Sequence, residues 1–161
     1  NNKNYNYRII NIHNLSMFLE VNKLKLSFED IIKEHKNDYT INKLIEDGKK
    51  TKKNTKIFIL YYNNLVIHIE RFVFSNNSKG MYLDFIHTHS NYRKMGIGNT
   101  SLYYLLKNTK KYFKVYELKV RKDNECAIKL YKKNNFKIIS NTFQKNENGS
   151  IEILIMKLII K

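Results

Sequence analysis

The sequence predicts an α/β fold: a mixed, mostly antiparallel sheet of about seven strands flanked by about four helices, in the order β-α-α-β-β-β-α-β-α-β-β. Two observations carry this. Three strand-like runs follow one another between Lys56 and Thr88, divided only by short polar turns. Beyond them, apolar strand-like runs alternate with segments of helical spacing. The connection from Met81–Thr88 to Tyr116–Val120 then has to be a right-handed crossover between neighbouring strands. The 161 residues, 42% hydrophobic, suffice for one domain spanning 1–161 with a real core.

Element by element, Tyr5 to Ile12 alternates as a first strand. Asn14, Leu15 and Ser16 offer a cap, with Met17, Phe18 and Val21 as the apolar face of a first helix. Ser27 and Asp30 form a capping-box variant for a second helix carrying Ile31 and Ile32. Asp38 to Thr55 is polar and Lys-rich and reads as a loop with one further helical turn at Ile41–Ile45. Lys56–Tyr62 and Leu65–Phe74 are strands joined by Asn63-Asn64, a pair that tolerates the positive φ of a tight hairpin. Ser75–Gly80 is a second turn before the strand Met81–Thr88, completing a three-stranded meander. A helix from Gly98 to Lys110 ends on Lys107, Lys110 and Lys111, which suit its negative end. After the strand Tyr116–Val120, Asp123 or Asn124 caps a helix bearing Ala127, Ile128, Leu130 and Tyr131, and Asn134-Asn135 closes it in the left-handed cap position. Phe136–Phe143 and Ile151–Ile160 are closing strands with the polar turn Gln144–Ser150 between them.

Net charge is +16. It fits an acidic partner such as nucleic acid, a ribosome surface, a membrane or an anionic cofactor. The favoured reading is a compositional bias, since Lys, Asn, Ile and Tyr are abundant while Pro and Trp are absent and a charge total alone does not identify a partner. No apolar run approaches the roughly 20 residues of a membrane span. Asn1 to Tyr5 has no signal-peptide core. A single cysteine, Cys126, allows no internal disulfide, and a reducing, cytoplasmic setting is expected.

Gly96 and Gly98, two of only five glycines, sit two apart in Tyr92-Arg93-Lys94-Met95-Gly96-Ile97-Gly98, between a strand and a helix. Glycine lets backbone approach a ligand, and the first N–H groups of the helix point at an anion with the dipole behind them. Arg93 and Lys94 add positive charge at the mouth. Strand, basic glycine loop and helix together form a phosphate cradle.

Two blocks carry a family resemblance. Arg93-x-x-Gly96-x-Gly98 resembles the Gln/Arg-x-x-Gly-x-Gly/Ala motif of the GNAT superfamily (GCN5-related N-acetyltransferases). Asn124-x-x-Ala127-x-x-Leu130-Tyr131-x-Lys133-x-Asn135-Phe136 resembles its Asn-x-x-Ala-x-x-Leu-Tyr-x-Lys-x-Gly-Phe, with Asn135 for Gly. The resemblance covers residues 55–140 firmly. Within the superfamily it is nearest to protein N-terminal acetyltransferases of the NatE type, with Met81 to Gly98 aligning without a gap. Leu24 to Asp30 falls where that type has its substrate loop, Phe-Pro-Val-Ser-Tyr-Asn-Asp.

What the resemblance implies is acetyl transfer from acetyl-CoA, as co-substrate and without metal, to an amine. Backbone of Arg93, Lys94, Met95, Gly96, Ile97 and Gly98 would take the pyrophosphate. Ile86, His87 and Thr88 would pair with the pantetheine arm, one of their donors polarising the acetyl carbonyl. Asn124 would touch the arm as well as cap its helix, and Tyr131 would protonate the leaving thiolate. Tyr82 would act on the amine through a water, but Lys119 stands where the family has its second group, a histidine. His87 shares strand parity with Leu83 and Phe85 and is expected to face away from Tyr82, while His89 reads as a solvated loop residue. Glu70 and Glu117 are further base candidates that otherwise read as exposed. A free N-terminal amine has a pKa near 8, so a strong base is not essential. Leu24 and Leu26 would contact the substrate, and Phe143 would serve as an aromatic lid. The expected acceptor is a protein N-terminus, with an auxiliary subunit and the ribosome as partners, no membrane, and nucleic acid only through non-specific charge. Two alternatives stay open: an enzyme acting on a small amine or a lysine side chain, and a non-catalytic basic module.

Overall fold

The computed structural model describes residues 4–26, 44, 46 and 54–161. Strand β1 (Asn6–Asn11) leads through a 3-10 turn to helix α1 (Leu15–Val21). Then come β2 (Asn54–Tyr62), β3 (Leu65–Phe74) and β4 (Gly80–Thr88), helix α2 (Ile97–Thr109), β5 (Val115–Arg121), helix α3 (Glu125–Lys133), β6 (Lys137–Asn146) and β7 (Gly149–Ile159). The strands form one sheet in the order β1-β2-β3-β4-β5-β7-β6, and only the β4–β5 pair is parallel. The expected crossover is thus present, with Gly80 opposite Val115. The second helix with its Ser27–Asp30 cap lies outside the described residues. So does the loop from Asp38, apart from Leu44, Glu46 and the start of β2.

Local chemistry explains the turns. Asn63 and Asn64 take φ of 48° and 65°, the paired left-handed values of a tight hairpin. Asn135 has φ of 70° and closes α3 as a glycine would. The last hairpin is tighter than its polar sequence suggested. Its register runs on to Asn146 opposite Gly149, so Gln144 to Asn146 belong to β6. The Asn146 side chain accepts from the Asn148 N–H at 2.9 Å and Gly149 takes φ of 122°, which lets two residues make the turn.

Helices cover both faces of the sheet. On one face α2 and α3 enclose Phe58, Leu60, Phe72, Leu105, Tyr116 and Met156. On the other, α1 and Leu44 cover Ile57, Ile59, Val66 and Ile69. The alternation of β2 between these two sets explains why its sequence is an unbroken apolar run. The apolar face of α1 differs from the expected one. Phe18 packs on this core as expected, edge-on to Tyr61, but Leu15 and Leu19 are the buried positions and Met17 and Val21 are 68% and 73% exposed. Asn14 precedes the helix without a side-chain cap bond. The helix starts at Leu15, two residues before the start a Ser16 cap would set, and positions 15 and 19, one turn apart, meet the sheet.

Two consequences are measurable. Leu19→Ala should lower unfolding free energy in urea by about 2–5 kcal/mol, and Met17→Ala should stay within about 0.5 kcal/mol. The second concerns alkaline pH. Tyr116 is buried with its hydroxyl 2.7 Å from Thr109 Oγ1; burial raises its pKa, and the Thr109 bond offsets part of the rise. Burial and the Glu70 charge likewise hold the Tyr131 proton above the ordinary tyrosine range. Folding therefore keeps protons that the unfolded chain loses, so this stability is complete below pH ~10 and falls as pH rises through the folded values. Each such tyrosine adds a slope of roughly 1.4 kcal/mol per pH unit in that window. Melting scans from pH 8 to 11.5 should show the decline, shallower in Tyr131→Phe.

Candidate active site

β4 and β5 pair only from Gly80–Val115 to Leu83–Leu118. Past that point β4 runs on to Thr88 and β5 to Arg121 without pairing to each other. The parting begins at a bulge. In the β3–β4 ladder Arg71 is opposite Phe85 and Phe72 opposite Leu83, which leaves Asp84 as the extra residue. Arg71 fixes this bulge, donating from Nε to Asp84 Oδ1 at 2.9 Å and from a terminal nitrogen to the Leu44 carbonyl at 3.1 Å. The result is a stretch of β4, from Asp84 to Thr88, whose edge toward β5 is open.

The bulge also moves side chains to other faces. Met81 and Leu83 point into the core under α2 and α3. After Asp84 the parity shifts, so Phe85 packs with the α1 core and His87 lies beside it, ring centroids 6.5 Å apart. His87 therefore shares the Tyr82 side of the strand, contrary to the simple alternation. His89 is also more than a solvated loop residue. It is partly buried, its Nδ1 accepts from the Asn91 N–H at 3.2 Å and its ring meets Tyr92 edge-on. This starts the 3-10 turn Ser90–Tyr92 that leads into the glycine loop.

In that loop Lys94 and Gly96 take φ of 59° and 76°, turning the chain into α2. Gly96 precedes the helix with no side-chain cap, so the first N–H groups of α2 lack intrahelical partners. The two glycines have different reasons. Gly96 supplies the left-handed turn, and a methyl group there would touch nothing within 4 Å. Gly98 lies inside α2, where a Cβ would sit 3.2 Å from Leu130 Cδ2, so it permits α2 and α3 to approach. Ile97 is a core residue at 2% exposure, while Arg93, Lys94 and Met95 are exposed. Arg93 donates from Nε to the Thr88 carbonyl at 3.1 Å, tying the loop to the end of β4.

Between the parted strands lies a cleft of about 310 Å³ that brings together Tyr82, Ile86, Lys119, Asn124 and Tyr131. Asn124 caps α3 by accepting from the Ala127 N–H at 3.2 Å, whereas Asp123 pairs with Arg121 at 2.7 Å. Tyr131, 6% exposed, reaches the cleft from the α3 side. Its hydroxyl is a proton donor at neutral pH, since burial and then Glu70 raise its pKa. Tyr82 enters from the opposite face of the sheet. Burial, followed by the charges of Asp84 and Glu117, also raises its pKa, so it can orient a water or an amine but does not serve as a phenolate base. Glu117, the register neighbour of Tyr82, is partly exposed and lies 3.8 Å from Lys157. Glu70 is not exposed as its residue type suggested: it is 1% accessible, on the α2–α3 face and away from Tyr82. Lys119 is exposed.

On the acceptor side, Leu24 and Leu26 are half-buried against the α1 core near Phe85, held by Lys25 bonds to Asn64 O and Val66 N at 2.8 and 2.9 Å. Phe143 is 64% exposed and lines a neighbouring cavity of about 400 Å³. That cavity shares Lys119, Val120 and Arg121 with the cleft. Sequence reasoning did not reach Arg71, Asp84 or His68. Their signal is charge inside strands otherwise buried on both faces. Among the described residues no cluster of metal-ligating side chains occurs, and no helix is long and apolar enough to cross a membrane.

A strand edge that has parted from β5, a left-handed glycine and an uncapped helix N-terminus follow one another along the chain. They fit a ligand with an amide-bearing arm ending in a pyrophosphate, which is how acetyl-CoA is built. Comparisons with known proteins agree. The model of the acetyltransferase (GNAT) family matches residues 21–136. No curated protein matches the chain. Among solved structures, the ribosomal-protein-S18-alanine N-acetyltransferase of Escherichia coli superposes with a TM-score of 0.70 at 17% identity, covering 98% of this chain and 95% of that one. An N-acetyltransferase from Staphylococcus aureus Mu50 gives 0.72 at 19%, covering 99% and 100%. The Salmonella typhimurium protein yncA, solved with its cofactor acetyl-CoA, gives 0.69 at 12%, covering 99% and 95%. At these identities the structures speak for the fold, and the family model for the membership. The chain belongs to the GNAT acetyltransferase family and is an N-acetyltransferase that uses acetyl-CoA to acetylate an amine.

Proposed function

We propose that residues 1–161 act as one acetyltransferase domain whose acceptor is the N-terminal α-amine of a protein, as in the NatE-type resemblance. The observation that carries this reading is the shape of the acceptor side. The cleft beside Tyr82 and the cavity beside Phe143 share Lys119, Val120 and Arg121 of β5 as a common wall. An open groove of this kind suits an extended chain better than a closed pocket around a small amine. The ribosomal-protein-alanine N-acetyltransferases of Escherichia coli and Brucella melitensis, which share the fold, support it as analogues. A ribosome surface and an auxiliary subunit are the proposed partners, favoured by the +16 charge.

Bound acetyl-CoA supplies the activated acetyl group as a thioester. The N–H groups from Arg93 to Gly98 would hold its pyrophosphate, and the β4 stretch from Ile86 to Thr88 would take the arm. Ile86 or His87 backbone would polarise the acetyl carbonyl. Tyr131 Oη carries the proton that the leaving sulfur needs, and Tyr82 Oη orients the acceptor amine or its water. Leu24, Leu26 and Phe143 contact the acceptor.

Thermal shift with saturating acetyl-CoA should raise Tm, by mass action on the folded state; no stabilisation would count against the donor site. Tyr131→Phe and Tyr82→Phe should each lower kcat about 10²-fold with little change in donor affinity; unchanged rates in both would overturn the assignments. A panel of Met-starting peptides, lysine peptides and polyamines reads the acceptor. The peptides should be preferred, and turnover of small amines alone would sink the N-terminal reading.

A further inference from the structure

Three polar side chains lie where the α2–α3 core is otherwise apolar. His68 and Glu70, on the Phe72 side of β3, are each 1% exposed. His68 Nε2 is 2.9 Å from Glu70 Oε1, and His68 Nδ1 is 2.7 Å from Thr88 Oγ1. One tautomer satisfies both contacts. Nε2–H donates to the Glu70 carboxylate, which leaves Nδ1 to accept from the Thr88 hydroxyl. The neighbours offer no electrostatic reason for the group. Across β2 the register partners are Leu60 and Phe58, and across β4 Glu70 faces Ile86. Glu70 Oε2 is buried without a hydrogen-bond partner among the described residues. The titratable group facing it from α3 is Tyr131. Such an arrangement is costly in an apolar core, where a leucine or valine would pack without desolvation. What it supplies is direction: it fixes the rotamer of Thr88.

Thr88 is also a joint. Its hydroxyl is bonded to His68 on β3, and its carbonyl accepts from Arg93 of the glycine loop at 3.1 Å. The next residue is pinned as well, His89 N–H donating to the Ile67 carbonyl at 2.8 Å. The two halves of the donor site, the open β4 edge and the glycine loop, are therefore connected through Thr88. β4 from Asp84 onward no longer pairs with β5, and β3 is the strand it pairs with.

We propose that Glu70, His68 and Thr88 form a buried brace that sets the spacing between the open β4 edge and the glycine loop, and so govern affinity for the acetyl donor more than the rate of transfer. They are positioning residues. The inference rests on the proposed donor site.

The test compares His68→Asn, Thr88→Val and Thr88→Ser in acetyl-CoA binding by calorimetry and in steady-state kinetics. His68→Asn and Thr88→Val should raise Kd and KM for acetyl-CoA about tenfold with kcat falling less than about threefold. Thr88→Ser, which keeps the hydroxyl, should bind within about twofold of the parent chain. The double variant should be no weaker than either single one, since the two act as a unit. A lower Tm with unchanged Kd, or a loss of affinity in Thr88→Ser equal to that in Thr88→Val, would overturn the brace. Gly96→Asp separates the two levels. If it binds acetyl-CoA normally, the donor-site reading fails; if it loses binding while Thr88→Val does not, only the brace fails. Should His68→Asn not fold, the Thr88 pair still decides.

Discussion

The structure depends on one constraint: two neighbouring strands that begin as a parallel pair cannot remain one. Parallel strands held by evenly spaced hydrogen bonds have no local reason to separate. Here the extra residue Asp84 breaks the register of β4 against β3 at the point where β4 leaves β5. A bulge bends its strand and adds twist. The Arg71 guanidinium, bonded both to Asp84 and to the Leu44 carbonyl, keeps the bend in place from the α1 side. An ion pair at 10% and 21% side-chain exposure is costly to form. Its use here is geometric: the guanidinium ties the bulged Asp84 to the Leu44 carbonyl.

Strand parity explains how far the sequence could be read. The order of elements was legible because β2 to β4 are punctuated by asparagine-rich turns and Gly80, and because Asn124 and Asn135 mark both ends of α3. The left-handed loop turn at Gly96 was legible because glycines are rare in this chain. The side on which His87 lies was not, since a bulge leaves no mark in an apolar alternation and shifts every side chain after it. Likewise α1 has apolar residues at Leu15, Met17, Phe18, Leu19 and Val21, and a seven-residue helix is too short for periodicity to choose among them. Glu70 read as exposed because carboxylates usually are. Only its pairing with His68, two residues earlier on the same face, makes burial tolerable.

The glycine loop owes its charge to what is missing as much as to Arg93 and Lys94. Residues 85–116 contain no Asp or Glu. The loop and α2 therefore carry no carboxylate of their own to offset the positive end of the helix dipole. This local pattern separates the donor site from the scattered excess of lysine elsewhere, which any compositional bias would produce.

The sheet also keeps the two groups proposed for proton handling on opposite faces. Tyr82, Asp84, Phe85 and His87 lie on the α1 side, with the proposed acceptor groove. Tyr131 and Glu70 lie on the α2–α3 side. Amine and leaving sulfur need opposite treatment, one losing a proton and the other gaining one. A single shared water pool would let each group short-circuit the other. A continuous sheet would in turn prevent the two sides from meeting. The parted strands are the place where both tyrosines line one cleft, so the bulge at Asp84 brings the two groups proposed for proton handling together from opposite faces of the sheet.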